Sequence, residues 1–150
     1  MTTNCGFTPL HKNKNSMGIF ENIYIQKEEN SLSFLIQDAL KEKAPFAESA
    51  QNILQIKPSI KTSYGVITTE NEITRYSVTL DVSYGLYNKK TKEIFLSNKV
   101  SATSDYSAAV TYTGFATEIA RKNTLERLAD AVAEKIITEI LTNNTSELSL

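Results

Sequence analysis

Cys5 and His11 are the one cysteine and the one histidine in 150 residues, so any thiol or imidazole chemistry in this chain must pass through them. A nucleophilic thiolate needs a base held within hydrogen-bond reach, and a structural zinc site is built from several Cys and His ligands. Both residues lie in "NCGFTPLHKNKNSMG" (4–18), a polar run without apolar periodicity and so without an element to hold them rigid. A lone cysteine also excludes an internal disulfide. The motifs GxxxxGK[ST], GxGxxG, GxSxG and HExxH are missing. No catalytic residue, metal site or cofactor is expected, and the chain does not read as an enzyme.

The chain has the length of one domain. Its residues are 41% hydrophobic and 22% charged, with a formal charge of −1, a balance that favours neither disorder nor nucleic acid as a partner. No stretch approaches the roughly 18 apolar residues of a membrane-spanning helix.

Any functional side chain must therefore be placed by the elements that follow the leader. "IFENIYIQKE" (19–28) sets Ile23 and Ile25 against Phe20 and Tyr24 and predicts a first strand. In "NSLSFLIQDALKEKAP" the apolar residues Leu32, Leu35, Ile36, Ala39 and Leu40 fall at helical spacing, with Asn30 or Ser31 to cap and Pro45 beyond the end. The spacing predicts a helix over 31–44 whose far face, Gln37, Lys41 and Glu42, meets solvent.

From residue 53 the period becomes two. Leu54, Ile56, Pro58, Ile60, Thr62, Tyr64 and Val66 alternate with Gln55, Lys57, Ser59, Lys61 and Ser63. Pro58 lacks an N–H and marks an edge position or a bulge. After the turn "TENEIT" (69–74), Tyr76, Val78, Leu80, Val82, Tyr84 and Leu86 alternate with Ser77, Thr79, Asp81 and Ser83. Beyond "NKKTK" (88–92), Ile94, Leu96, Val100 and Ala102 alternate with Ser97, Lys99 and Ser101. Residues 103–114, "TSDYSAAVTYTG", read as a long connection of the kind that often carries function.

A closing helix of about 27 residues, roughly 40 Å long, follows from a stripe of Ile119, Leu125, Leu128, Ala129, Val132, Ala133, Ile136, Ile137 and Ile140. Glu118 with Lys122 and Lys135 with Glu139 are i,i+4 pairs on its solvated face.

The expected fold is α+β: a four-stranded, mostly antiparallel sheet in the order β-α-β-β-β-α, with both helices on one face. By parity the other face carries Lys57, Lys61, Ser77, Thr79, Ser83, Ser97, Lys99 and Ser101. Such a face is either ordinary solvated sheet or a basic, hydroxyl-rich surface for a partner.

"CGFTPL" at 5–10, Thr74 and Arg75 entering a strand, "YGLYNKKTKE" at 84–93, "SDYS" at 104–107 and "FATEIARKNTLERLADAVAEKI" at 115–136 occur in the order of the LptE family of lipopolysaccharide-assembly lipoproteins. In these stretches the chain resembles the alphaproteobacterial branch over nearly its whole length, with Arg121, Leu128 and Ala129 in register. The resemblance implies an α+β domain over 19–143, a lipid-anchored tether over 1–18 with lipid on Cys5, and a flexible tail over 144–150. The sequence upstream of Met1 is then expected to encode a basic start and an apolar run.

The resemblance further implies a non-enzymatic outer-membrane lipoprotein on the periplasmic side. Such a protein plugs and helps assemble the LptD barrel and assists lipopolysaccharide transport to the cell surface. Anionic phosphates suit Lys57, Lys61, Lys99 and above all Arg75, whose guanidinium can grip an oxyanion at two points. Other readings stay open: an ordinary exposed thiol at Cys5, an ion pair of Arg75 with Glu70 or Glu72, and a periplasmic accessory of another transport or secretion complex. A small-ligand pocket between sheet and helices is disfavoured, because the helix stripe is apolar throughout.

Overall fold

A computed structural model of the chain describes residues 17–67, 73–109 and 114–147. Cys5, His11, the rest of the tether up to residue 16, Glu70, Glu72 and Tyr112 lie outside the described residues. The order is a 3-10 helix Met17–Asn22, strand Ile23–Ile25 (β1), helix Ser31–Lys43 (α1), strands Asn52–Ile67 (β2), Ile73–Asn88 (β3) and Ile94–Ala109 (β4), and helix Gly114–Glu147 (α2). The α+β fold with four strands and two long helices is as the sequence predicts. The sheet order is β1-β2-β3-β4, with β1 parallel to β2 and the other pairs antiparallel.

The alternation of β2 and β3 determines the packing. Leu54, Ile56, Val78, Leu80, Val82, Tyr84 and Leu86 are buried on one face, where they meet Leu128, Ala129, Val132, Ala133, Ile136 and Ile140 of α2. Both helices contribute to this one core. Asn30 caps α1, its Oδ1 accepting from the Ser33 N–H at 2.7 Å, an interaction worth about 1 kcal/mol. Lys43 joins α1 to α2 through Asp130 at 2.8 Å. The hydrogen bond to Asp130 foremost pushes the Lys43 ammonium above its ordinary pKa.

The structure corrects several local readings. The predicted first strand is a 3-10 turn followed by only three strand residues, and Phe20 is in the core, its ring edge-on to Phe46 at 5.0 Å. Gln37 is 2% exposed and donates through Nε2 to the Gln26 carbonyl at 3.2 Å. It continues the Ser33, Ile36, Leu40 stripe of α1 and so faces inward despite its polarity. Pro58 sits beyond the reach of β1 and pairs in register with Val82, on an edge where its missing N–H costs no ladder bond.

Residues 103–109 are not a loop but the second half of β4, paired with β3 through Ile73↔Ala109. Ile94, placed by parity in the core, is 66% exposed, because a bulge sets Leu86 against Leu96 but Tyr87 against Ile94 and thereby reverses the alternation. Ile119, read as part of the apolar stripe, is 42% exposed near the start of α2. That helix has 34 residues, roughly 50 Å, against an expected 27.

Candidate functional site

Because the pleat sends alternate side chains to opposite faces, every odd-numbered residue of β3 from Arg75 to Tyr87 shares the face turned away from the helices. The register then fixes rows across the sheet. Lys57, Ser83 and Lys99 form one rung, and Lys61, Thr79 and Thr103 another. Arg75 stands opposite Ser107. The four predicted cations thus share one exposed face, as parity requires, but they do not converge.

Lys57 and Lys99 bracket Ser83 across two strand spacings, about 10 Å between Cα atoms. Arg75 lies eight residues before Ser83 on β3, roughly 27 Å away at the rise of a strand. Lys61 stands between. The arrangement is a row of cations along the sheet with a close pair at one end, suited to an extended polyanion or to separate anionic groups rather than to one enclosed phosphate.

The same face carries two carboxylates that the predicted surface omitted. Asp105 accepts from the Ser77 hydroxyl at 2.7 Å, and Asp81 accepts from the Ser101 hydroxyl. Between them the hydroxyls of Thr79 and Thr103 are 2.9 Å apart and hydrogen-bonded. The β3–β4 half of the face is therefore self-satisfied by hydroxyl and carboxylate pairs. Among the described residues no ion pair involves Lys57, Lys61, Lys99 or Arg75.

The other ionisable groups are committed to structure. Glu139 does not pair with Lys135 as expected: it accepts from the Tyr84 hydroxyl and from Asn98 Nδ2 at 3.0 Å. Burial, and then the Glu139 carboxylate, hold the Tyr84 phenol well above the usual tyrosine range. Lys135 instead donates to the Ser101 carbonyl on the β4 edge, and Glu118 pairs with Arg121 at 3.6 Å. Tyr106, in the segment read as a loop, stacks on Tyr76 with ring centroids 5.0 Å apart. Among the described residues no cluster of His, Cys, Asp and Glu could hold a metal ion, and no helix is long and apolar enough to cross a membrane.

A helix pair laid on one side of a four-stranded sheet is found in known proteins. The LptE model, described as lipopolysaccharide-assembly, matches residues 20–140. The chain belongs to the LptE family. Among solved structures it is similar to a lipoprotein described from Caulobacter crescentus, at 17% identity and a TM-score of 0.69, over 86% of this chain and 95% of that one. The rare lipoprotein B of Shewanella oneidensis matches at 15% identity and TM-score 0.61, over 83% and 96%. A minor lipoprotein of Acinetobacter baumannii matches at 11% and 0.61, over 84% and 96%. At these identities the likeness is one of fold. No curated protein matches the chain.

Within this LptE-family domain, sequence parity identified the face but not the spacing along it. Asp81 was visible in the alternation of β3 and could have been counted on the outer face. Asp105 was hidden because its segment had no apolar contrast to mark it as strand.

Proposed function

We propose that this chain is an outer-membrane lipoprotein of lipopolysaccharide assembly, tethered by lipid on Cys5 to the periplasmic side of the membrane and seated in the LptD barrel. Its role is non-enzymatic. Membership of the LptE family supports this reading, and the cations on the face opposite the helices, which join no ion pair among the described residues, are the observation that carries it to residues. A barrel lumen is polar and hydrogen-bonding, which suits a domain whose free sheet face is made of hydroxyls, carboxylates and lysines. Lipopolysaccharide phosphates would be met by Arg75, Lys57, Lys61 and Lys99 through charge-assisted contacts.

The test is capture of lipopolysaccharide by the purified chain. Arg75→Ala should weaken capture severalfold with the melting temperature held within a few degrees, and Arg75→Lys should recover only part, since an ammonium lacks the two-point fork. Rising salt should act in the same direction. Capture indifferent to salt and to Arg75 would remove the basic face from the proposal. In cells, the precursor should fractionate with outer membrane and the Cys5→Ser form should be released. Recovery with an inner-membrane complex instead of a barrel would favour the transport-accessory reading.

A further inference from the structure

Gly85 lies inside β3 on the outer face, where an interior glycine costs about 0.5–1 kcal/mol relative to alanine. Nothing in the backbone requires it. No glycine among the described residues has a positive φ, and a Cβ built on Gly85 would meet only the Leu96 carbonyl oxygen at 4.0 Å, an ordinary contact. The extra residue of the neighbouring bulge is Phe95 of β4, not Gly85. A strand glycine unexplained by conformation or crowding commonly marks a close approach from outside.

Gly85 lies in a depression of about 250 Å³ lined also by Gln55, Lys57, Ser83, Tyr87, Ile94 and Ser97. Register explains its shape. Gln55 and Ser97 flank Gly85 on its own rung, Tyr87 and Ile94 form the next rung, and Lys57, Ser83 and Lys99 form the one before. An aromatic neighbour can cover a strand glycine. Here the Tyr87 hydroxyl donates to Gln26 Oε1 at 3.1 Å, which ties the ring toward the β1 side and keeps the notch open.

We propose that this notch seats a single pyranose ring and that the adjacent Lys57–Ser83–Lys99 rung takes an anionic group carried on that ring. The bare backbone, the Tyr87 ring and exposed Ile94 offer apolar surface to the C–H face of a sugar. Gln55 and Ser97 offer an amide and a hydroxyl to its hydroxyls, and two lysines flank a serine hydroxyl one rung away. The volume is below the 300–1,000 Å³ of sites for drug-sized ligands, enough for one ring. The inference deepens the lipopolysaccharide reading and rests on it for the natural ligand, a phosphorylated sugar of a glycolipid.

Amide shifts of the isotopically labelled full chain, titrated with glucose 6-phosphate, glucose and inorganic phosphate separately, test it. Glucose 6-phosphate should give saturable shifts centred on Gly85, Tyr87 and Ser97, with glucose and phosphate each at least tenfold weaker. Gly85→Val fills the notch with a residue that suits a strand and should abolish these shifts without lowering the melting temperature. Lys57→Ala with Lys99→Ala, at two exposed positions, should reduce the affinity to that of glucose. Shifts centred elsewhere, or retained at wild-type affinity in Gly85→Val, overturn the proposal. Lipopolysaccharide capture without sugar-phosphate shifts at the notch overturns the notch alone. Shifts at the notch without lipopolysaccharide capture uphold it and overturn the lipid reading.

Discussion

On the side of the sheet that meets the helices, Val78, Leu80 and Val82 are buried against a continuous apolar stripe of α2. On the opposite side, the side chains of the alternating residues Ser77, Thr79 and Asp81 hydrogen-bond to their neighbours on β4. One stretch of backbone thus serves two kinds of stabilisation. Burial is collective, so each inner side chain depends on many neighbours. The outer pairs are local and face water, worth about 0.2–1 kcal/mol each. A protein built this way can change its outer face, or lend it to a partner, with little cost to the fold.

The strongest way to break the contrast is to empty a core position. Leu80→Ala and Leu128→Ala should each cost about 2–5 kcal/mol in chemical denaturation, through lost transfer energy and the cavity left behind. Leu80 is fully enclosed and Leu128 nearly so.

An intermediate effect is expected where the core meets a charge. Tyr84 is buried at its ring, while its hydroxyl reaches Glu139 at the rim. Tyr84→Phe should cost on the order of 1 kcal/mol, the low end for a hydrogen bond to a charged group because the carboxylate keeps Asn98. The sign with pH is definite. The folded phenol has its pKa raised, so its contribution is full below the unfolded tyrosine pKa near 10 and is lost as pH rises above it. The wild-type melting temperature should therefore fall more steeply than that of Tyr84→Phe above about pH 10. Parallel curves would show that the phenol is not tied to Glu139 in solution.

The inner face was legible because its residues contrast with their neighbours at a period of two, and the α2 stripe because apolar residues recur at helical spacing. Where contrast fails, so does the reading. Ala102, Ser104 and Tyr106 alternate with Ser101, Thr103 and Asp105, and small or polar residues on both faces gave the second half of β4 the look of a loop. Gln37 occupies a core-facing position with a polar type, and its partner, the Gln26 carbonyl, comes from a separate segment. Ile94 was misplaced by a bulge, which exists only as a relation between two strands. The candidate site follows the same logic. That Lys57, Lys61, Arg75 and Lys99 share a face is a matter of parity, whereas the pairing of Lys57 with Lys99 around Ser83 needs a register that no single strand contains. The hydroxyl partners of Asp81 and Asp105 likewise come from across a strand pair.

The smallest expected effect is also the sharpest test of facing. Thr79 is the immediate neighbour of Leu80, and its side chain pairs with Thr103 at 2.9 Å on the water side of the sheet. Thr79→Ala removes one hydroxyl contact between groups that water can satisfy in turn, and it slightly lowers strand preference. The loss should stay within about 1 kcal/mol, well below that of Leu80→Ala measured in the same denaturant series. Because a strand's side chains alternate strictly, a slip of one residue would exchange the two faces along its whole length. A Thr79→Ala variant as unstable as Leu80→Ala would therefore turn Arg75, the cation that β3 contributes, toward the helices and remove it from the face it shares with Lys57, Lys61 and Lys99.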